Sequence, residues 1–273
     1  MSQNNLKLIS IVTALLFQIT FITTAQIPSV QEESQLKVSL EARLKTKRFN
    51  ELKNKSRSEK EQYINRIYFK LLDENPELKG YVEEIKYFDT LNELVEQYKK
   101  DEENTFDSRK KQFIISERRE IAKKTVSAML CMRSTKYFGS NDIKSNIYVL
   151  GFAFDNDAIF ENNDFKSALR HETQHARSWK DGIKFPNSNK YSIELIIKNY
   201  VEIDEIYVLD KQISSILERK ENVSLEFFEN TVIYFIKVFS EVEVLSKQTN
   251  IEGKMALDIL SGLKNNPYKL KRK

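Results

Sequence analysis

The chain contains few of the residues that interrupt regular structure, with only 6 glycines and 4 prolines among its 273 residues. Sandwiches and barrels made of many short strands need frequent turns, and glycine and proline supply many of them. Charged residues make up 31% of the chain. This composition excludes a turn-rich all-β fold and favours long helices. The predicted fold class is α+β and mostly α-helical.

Cysteine is nearly absent, and the single Cys131 excludes any disulfide within the chain. Residues 117–132, which include this cysteine, have apolar positions at helical spacing and are predicted to form a helix. Because the neighbours of Cys131 are alanine, leucine and methionine, we expect a buried and unreactive thiol.

An excess of one charge is also lacking. Lysine and arginine total 44 against 40 acidic residues, which leaves a net charge of +4. No basic stripe with interleaved aromatic residues occurs, so the sequence predicts no nucleic-acid partner. The basic residues 269–273 are interpreted as a solvated tail.

The N-terminus has the pattern of a secretory signal peptide. Lys7 precedes an apolar stretch at residues 8–22, and the small residues 23–25 follow it. These features predict a signal peptide over residues 1–25 with cleavage near Ala25, and hence a secreted or periplasmic protein. The stretch is shorter and more polar than the roughly 20 apolar residues of a membrane span. An uncleaved anchor is the alternative, and no stable membrane span is expected after cleavage.

Histidine is even scarcer than proline, but its placement is informative. The chain has 2 histidines, and both lie in the string HETQH, an HExxH pattern that begins at His171 and ends at His175. On a helix, side chains four residues apart lie on the same face, so both imidazoles can reach one metal ion. Glu172 between them is placed to activate a water molecule on that ion. The string therefore predicts zinc-dependent hydrolysis.

Hydrophobic patterning divides the rest of the chain into two regions. Residues 26–138 are predicted to form a helical N-terminal region, because charged amphipathic stretches dominate them. Residues 139–273 are predicted to form the catalytic region. Within it, residues 146–154 predict a strand, and residues 164–180 predict the helix that carries both histidines. Three further helices are predicted over residues 192–218, 225–248 and 251–264.

The residues around the histidines favour a buried site. On a helical wheel, Glu172 falls on the apolar face with Phe165 and Leu169, whereas Thr173 and Arg170 fall on the opposite face. A carboxylate on a core-facing stripe is unfavourable unless something compensates its charge. A zinc ion with its water molecule would do so.

The third zinc ligand is predicted to be a carboxylate. A catalytic zinc ion usually has three protein ligands and an open position for water, and no third histidine exists. The first choice is Glu202, a single acid in an apolar stripe of the following helix. Glu205, Asp204 and Glu194 remain alternatives. Asp204 could instead orient a ligand histidine without binding the metal itself.

The HETQH helix, the apolar strand before it and the Glu-x-Asp-Glu cluster after it together resemble the gluzincin branch of the zinc metallopeptidases. The resemblance extends over residues 146–210. It implies a zincin-like catalytic region, a zinc (Zn²⁺) cofactor, and peptide bonds as the substrate. Many gluzincins carry an acidic residue four positions after the ligand glutamate, and the corresponding residue here is Ile206.

The expected mechanism has zinc held by His171, His175 and Glu202, with Glu172 as the general base. A tyrosine, Tyr207 or Tyr191, or an arginine would stabilise the oxyanion. The strand at residues 146–154 is expected either to belong to the core or to pair with an extended peptide.

The leading hypothesis is an exported zinc metallopeptidase that hydrolyses a peptide or protein. A non-catalytic, zinc-stabilised helical binding protein of the cell envelope is the alternative. Intact Glu172 argues against it, because a structural zinc ion needs no general base. A third hypothesis is a helical interaction protein without metal. The sequence gives no indication of the oligomeric state.

Overall fold

A mixed three-stranded sheet organises the first half of the described fold. A computed structural model describes six segments of the chain, except for the side chains of residues 123, 162 and 200–202. These segments are residues 54–123, 128–139, 142–154, 162–191, 200–218 and 221–266. Their strands are β1 (Val82–Phe88), β2 (Met129–Arg133) and β3 (Ser145–Leu150). The central strand, β3, is parallel to β1 and antiparallel to β2.

Helices make up most of the described residues. The seven helices in these segments are α1 (Arg57–Glu74), α2 (Leu91–Glu103), α3 (Ser108–Lys123), α4 (Asn162–Asp181), α5 (Tyr200–Leu217), α6 (Leu225–Ser246) and α7 (Ile251–Gly262). The prediction of a mostly helical α+β fold is confirmed.

Side-chain caps fix the starts of several helices. The Ser56 hydroxyl accepts a hydrogen bond from the backbone N–H of Glu59, and the Glu59 carboxylate accepts one from the backbone N–H of Ser56, which forms a capping box at α1. Thr90, Ser224 and Asn250 cap α2, α6 and α7 in the simpler way. Each cap satisfies a backbone N–H group that has no partner within its own helix.

Two hydrophobic clusters lie on the two faces of the sheet. The first packs α1 and α4 against one face, and its members include Leu71, Tyr87, Val149, Phe165 and Leu169. The second packs α2 and α3 against the other face, and its members include Leu94, Ile114, Leu130, Tyr148 and Leu150. Because α4 contributes fully buried side chains to the first cluster, the sheet fixes the position of the helix that carries the histidines.

The strand predicted over residues 146–154 is shorter than expected. It ends at Leu150, and a 3-10 turn (Gly151–Phe154) follows. A Cβ atom on Gly151 would lie 2.3 Å from the carbonyl oxygen of Asp89, so only glycine fits this turn without displacing the backbone. Since β3 has a neighbour on both edges, it is a core strand, and its alternative role in pairing with a peptide is wrong.

The helix predicted over residues 117–132 is wrong at its C-terminal end. The helix α3 ends at Lys123, and Met129–Arg133 forms β2. A short apolar run such as residues 128–132 fits a buried strand as well as a helix, so periodicity alone does not distinguish them.

The sheet spans the predicted boundary between residues 138 and 139. The strands β1 and β2 precede this boundary, and β3 follows it. One compact unit, Lys47–Asn265, includes residues from both predicted regions. The predicted signal peptide at residues 1–25 lies outside the described residues. Among the helices described, none is both long and apolar enough to cross a membrane.

Candidate metal centre

The helix α4 is covered by neighbours on several sides and directs both histidines towards α5. It packs against α1, β2, β3 and α5. Thr173, which the helical wheel placed on the outer face, is fully buried, and its hydroxyl donates to the carbonyl oxygen of Leu169 over 2.7 Å. More of the helix is buried than one apolar stripe predicts, because it is enclosed by a sheet and two helices.

Three side chains from α4 and α5 meet at the histidines. The Nε2 atoms of His171 and His175 lie 3.0 Å apart. The two carboxylate oxygens of Glu205 lie 3.3 Å from these nitrogens, one oxygen facing each ring. Among the described residues, these three side chains form the cluster that could hold a metal ion.

The spacing of the three groups fits a small tetrahedral ion. Zinc bonds to nitrogen and oxygen are about 2.0–2.1 Å long, so two ligand atoms of a tetrahedral site lie about 3.3 Å apart. The observed separations of 3.0 and 3.3 Å are close to this value. An ion can therefore contact the three groups with little movement of the side chains.

The other nitrogen of each imidazole faces a hydrogen-bond acceptor. The Nδ1 atom of His175 lies 2.5 Å from an Asp204 carboxylate oxygen, and that of His171 lies 3.1 Å from the amide oxygen of Gln212. An acceptor at Nδ1 places the hydrogen there in a neutral ring, which leaves a lone pair on Nε2. Two lone pairs and a carboxylate then face one another, and this arrangement favours a positive charge between them, either a proton or a metal ion.

The electrostatics of the centre also favour positive charge. Burial of His175 opposes its protonation, but the carboxylates of Asp204 and Glu205 outweigh burial and raise the pKa of His175 well above its usual value. Burial also opposes ionisation of Glu205, but hydrogen bonds and charge from both histidines lower the pKa of Glu205 far below its usual value. The acids therefore attract a positive charge to the space between the rings.

Glu205 reaches the two histidines, whereas sequence analysis placed Glu202 there first. The Glu205 side chain is 17% exposed, so it lies largely out of solvent. Asp204 is buried and takes the orienting role at His175. The side chain of Glu202 and all of Glu194 lie outside the described residues.

Glu172, the predicted general base, lies on α4 where this helix packs against β2. Its side chain is half-buried. Burial and then the charge of Glu172 raise the pKa of the Cys131 thiol on β2 well above its usual value. Cys131 is half-buried and remains protonated at neutral pH, and it is not part of the cluster of potential ligands.

Tyr234 on α6, which sequence analysis did not single out, is 42% exposed and lies within electrostatic range of the centre. Burial raises the pKa of its hydroxyl well above the usual value, and the charges of Glu205, Glu241 and Glu172 raise it further. The charges of Glu205 and of the predicted base Glu172 therefore act on the phenol, which keeps its proton. The spacing of residues within α6 could not reveal this, because it depends on the packing of α6 on α5.

The two tyrosines proposed from the sequence have other contacts. The Tyr191 hydroxyl donates to a carboxylate oxygen of Asp258 on α7 over 2.5 Å. The ring of Tyr207 stacks beneath the ammonium group of Lys211, which lies 4.5 Å from the ring centre. Neither contact directs the tyrosine to the histidines.

A small cleft of about 30 Å³, lined mostly by polar side chains, lies beside His171. Its lining includes Gln212 and Lys211 from α5, together with Arg170 and Glu221. The Arg170 guanidinium pairs with the Glu221 carboxylate over 3.1 Å. The cleft is therefore a polar space next to one of the two imidazoles.

Comparison of the chain with protein-family models, curated proteins and solved structures found no match. The function is therefore argued from the side chains of the centre and their surroundings.

Proposed function

We propose that the protein is an exported zinc-dependent metallopeptidase with a zincin-like catalytic region. The observation that carries this proposal is the convergence of His171, His175 and Glu205 with both Nδ1 atoms held by acceptors. Two imidazoles and one carboxylate leave a fourth tetrahedral position for water, as in catalytic zinc sites. The predicted signal peptide supports export.

Zinc is favoured over other metals by the donor set. Magnesium and calcium prefer six or more oxygen ligands, whereas this cluster offers two nitrogens and one carboxylate. Zinc binds such nitrogen and oxygen sets with tetrahedral geometry. The narrow spacing of the three groups supports a four-coordinate ion.

The bound ion would supply a Lewis acid and would lower the pKa of a coordinated water molecule to about 7. Glu172 accepts a proton from the attacking water and then donates it to the nitrogen of the leaving amine. The hydroxyl of Tyr234, which keeps its proton, donates a hydrogen bond to the oxygen on which negative charge develops.

Peptide bonds are the proposed substrate through the resemblance to gluzincins. The edge strand of the sheet nearest to Glu172 is β2, which packs against α4. An extended peptide that pairs along this edge would bring its backbone carbonyl groups close to the base. A substrate that extends along β2 therefore fits the geometry better than one at β3.

The test uses the mature chain, residues 26–273, and its Glu172→Gln variant. Both should bind zinc in equal amount, measured by elemental analysis after dialysis. Hydrolysis of a mixed peptide library, followed by mass spectrometry, should fall by about 100-fold or more in the variant, because a general base contributes on the order of 10²–10⁴. His171→Ala should lose both zinc and activity.

The outcomes separate the proposal from the alternatives. Equal hydrolysis by wild type and Glu172→Gln would overturn the assigned base. Stoichiometric zinc without cleavage of any peptide would support a zinc-stabilised binding protein of the cell envelope. A wild-type protein that binds no zinc would overturn both the metallopeptidase and the zinc-stabilised binding protein.

A further inference from the structure

A buried amide links α5 to the imidazole of His171. The amide oxygen of Gln212 lies 3.1 Å from His171 Nδ1. The amide nitrogen of Gln212 donates to the hydroxyl of Ser167 over 3.0 Å and approaches the Ser167 carbonyl oxygen at 3.4 Å. Ser167 precedes His171 by one turn of α4. The three residues therefore form a chain of hydrogen bonds that begins and ends on α4.

We infer that Gln212 is a positioning residue that holds His171 in the orientation and tautomer needed for zinc binding. This inference rests on the zinc site of the proposed function. Gln212 accepts a hydrogen bond from Nδ1 of His171, just as Asp204 does from Nδ1 of His175. The same helix α5 supplies Glu205 as a ligand and both positioning residues.

The partners of Gln212 determine which way its amide faces. A carbonyl oxygen only accepts hydrogen bonds, so the amide NH₂ must face Ser167 and the amide oxygen must face His171. The hydrogen of a neutral His171 ring is then fixed on Nδ1, and the lone pair on Nε2 is directed towards His175 and Glu205. The reversed amide would favour a hydrogen on Nε2, where the metal must bind.

Burial makes this hydrogen bond effective. Gln212 is 8% exposed and Ser167 is 2% exposed. Removal of the amide oxygen leaves Nδ1 of His171 with only water from the neighbouring cleft as a partner, and water can either donate or accept and so does not fix the tautomer. Partners of this kind behind a ligand histidine typically contribute 10- to 100-fold to metal affinity.

The two positioning residues differ in charge. Asp204 and Glu205 already place two carboxylates beside His175. The neutral Gln212 orients His171 without adding a third acid to the buried rings. A glutamate at position 212 keeps an acceptor for Nδ1 and adds charge, so Gln212→Glu tests whether the acceptor is the essential feature.

The experiment measures zinc affinity by competition with a chelator. Gln212→Met, which has a similar volume and no acceptor, should bind zinc about 10- to 100-fold more weakly than wild type. Gln212→Glu should restore the affinity to within about threefold, because it again offers an oxygen to Nδ1. Ser215→Ala is the matched control. It removes another, partly buried hydrogen bond between α5 and α4, to Arg170, but Ser215 contacts none of the proposed ligands.

A second readout follows the tautomer itself. The chain has 2 histidines, so the imidazole ¹⁵N spectrum of the metal-free protein contains only two rings. At alkaline pH, His171 should carry its hydrogen on Nδ1 in wild type and in Ser215→Ala. In Gln212→Met, the Nε2-H tautomer should appear. A purely structural role for Gln212 would not change this ratio.

The outcomes are distinct from those of the zinc test. If wild type binds zinc and Gln212→Met binds it equally well with an unchanged tautomer, the inference is overturned while the zinc site stands. If Gln212→Met does not fold, Gln212→Ala is used in its place. Its zinc affinity and the tautomer of its His171 then test the inference in the same way. A wild type without zinc affinity overturns the proposed function and this inference with it.

Discussion

Each histidine of the proposed zinc site has neighbours at both nitrogens of its ring. Its Nε2 atom faces the potential metal position, and its Nδ1 atom faces an acceptor on α5. A ligand held in this way is already oriented before the metal arrives, so less conformational entropy is lost on binding. At the residue scale, the chemistry depends on single atoms that the neighbouring helix fixes.

A matched pair of variants tests whether Glu205 or Glu202 is the third ligand. Glu205→Gln should weaken zinc binding by at least tenfold, because a neutral amide replaces the carboxylate that faces both rings. Glu202→Gln, three residues earlier on α5, should retain wild-type affinity. Chelator competition measures both, and the opposite ranking would return the ligand assignment to Glu202.

The hydroxyl of Tyr234 gives a second prediction at this scale. Tyr234→Phe should lower kcat by about 10- to 100-fold with zinc content unchanged, because the variant loses a donor to the developing oxyanion. Tyr207→Phe is the control, since the Tyr207 ring packs against Lys211 and not against the histidines. A similar loss of kcat in both variants would contradict the role of Tyr234.

The elements are joined at their ends as well as through the core. Asp164 in the first turn of α4 is fully buried, and its carboxylate accepts bonds from the backbone N–H and the hydroxyl of Ser224 over 2.7 and 2.6 Å. The same Ser224 hydroxyl caps α6 by accepting from the N–H of Phe227. One serine therefore links the start of the histidine helix to the start of the helix that carries Tyr234.

Loss of this link should destabilise the fold. Ser224→Ala removes a helix cap and a hydrogen bond to a buried carboxylate, which should lower the free energy of unfolding by about 1–3 kcal/mol. Ser240→Ala on the same helix should change it by less than about 0.5 kcal/mol, because Ser240 is exposed and bonds only within α6. Chemical denaturation of the two variants checks this difference, and equal stabilities would contradict the link.

The periodic helices could be predicted from the sequence, but two of the three strands could not. The predicted helices at 164–180, 225–248 and 251–264 correspond to α4, α6 and α7 within a few residues. The strand β1 was missed because Glu83, Glu84 and Lys86 interrupt its apolar alternation. The strand β2 has apolar residues on both faces, so its pattern also fits a helix. Both edge strands are defined by pairing with β3, which is distant in the sequence from β1 but is the next strand after β2.

A zinc ion would connect helices that are distant in sequence. His171 and His175 lie on α4, and Glu205 lies on α5. Because a folded site binds the metal and an unfolded chain does not hold these groups together, metal binding stabilises the folded state by mass action. This effect concerns the whole compact unit, since α4 is also part of the core that includes the sheet.

Thermal unfolding should therefore respond to zinc. At a free zinc concentration of about 100 times Kd, the stabilisation is about 2.7 kcal/mol, which raises Tm by about 5–10 °C for a domain of this size. A chelator should reverse the shift, and His175→Ala should show none. Scanning calorimetry measures both, and an equal shift in the variant would place the zinc elsewhere.

The sequence by itself determined that the protein is mostly helical and that its two histidines lie one turn apart with a glutamate between them. These properties depend on composition and on the period of a single helix, so neighbours along the chain are sufficient to define them. The residue types also limited the third ligand to an acid, since no other histidine exists.

Only the tertiary structure decided which acid faces the two imidazole rings and which side chains accept hydrogen bonds from their Nδ1 atoms. A helical wheel shows that Asp204 and Glu205 are adjacent on α5, but it does not show which face of α5 meets α4. That rotation is set by the packing of the two helices. The centre is therefore assembled from contacts between distant residues, which the pattern along a single element cannot specify.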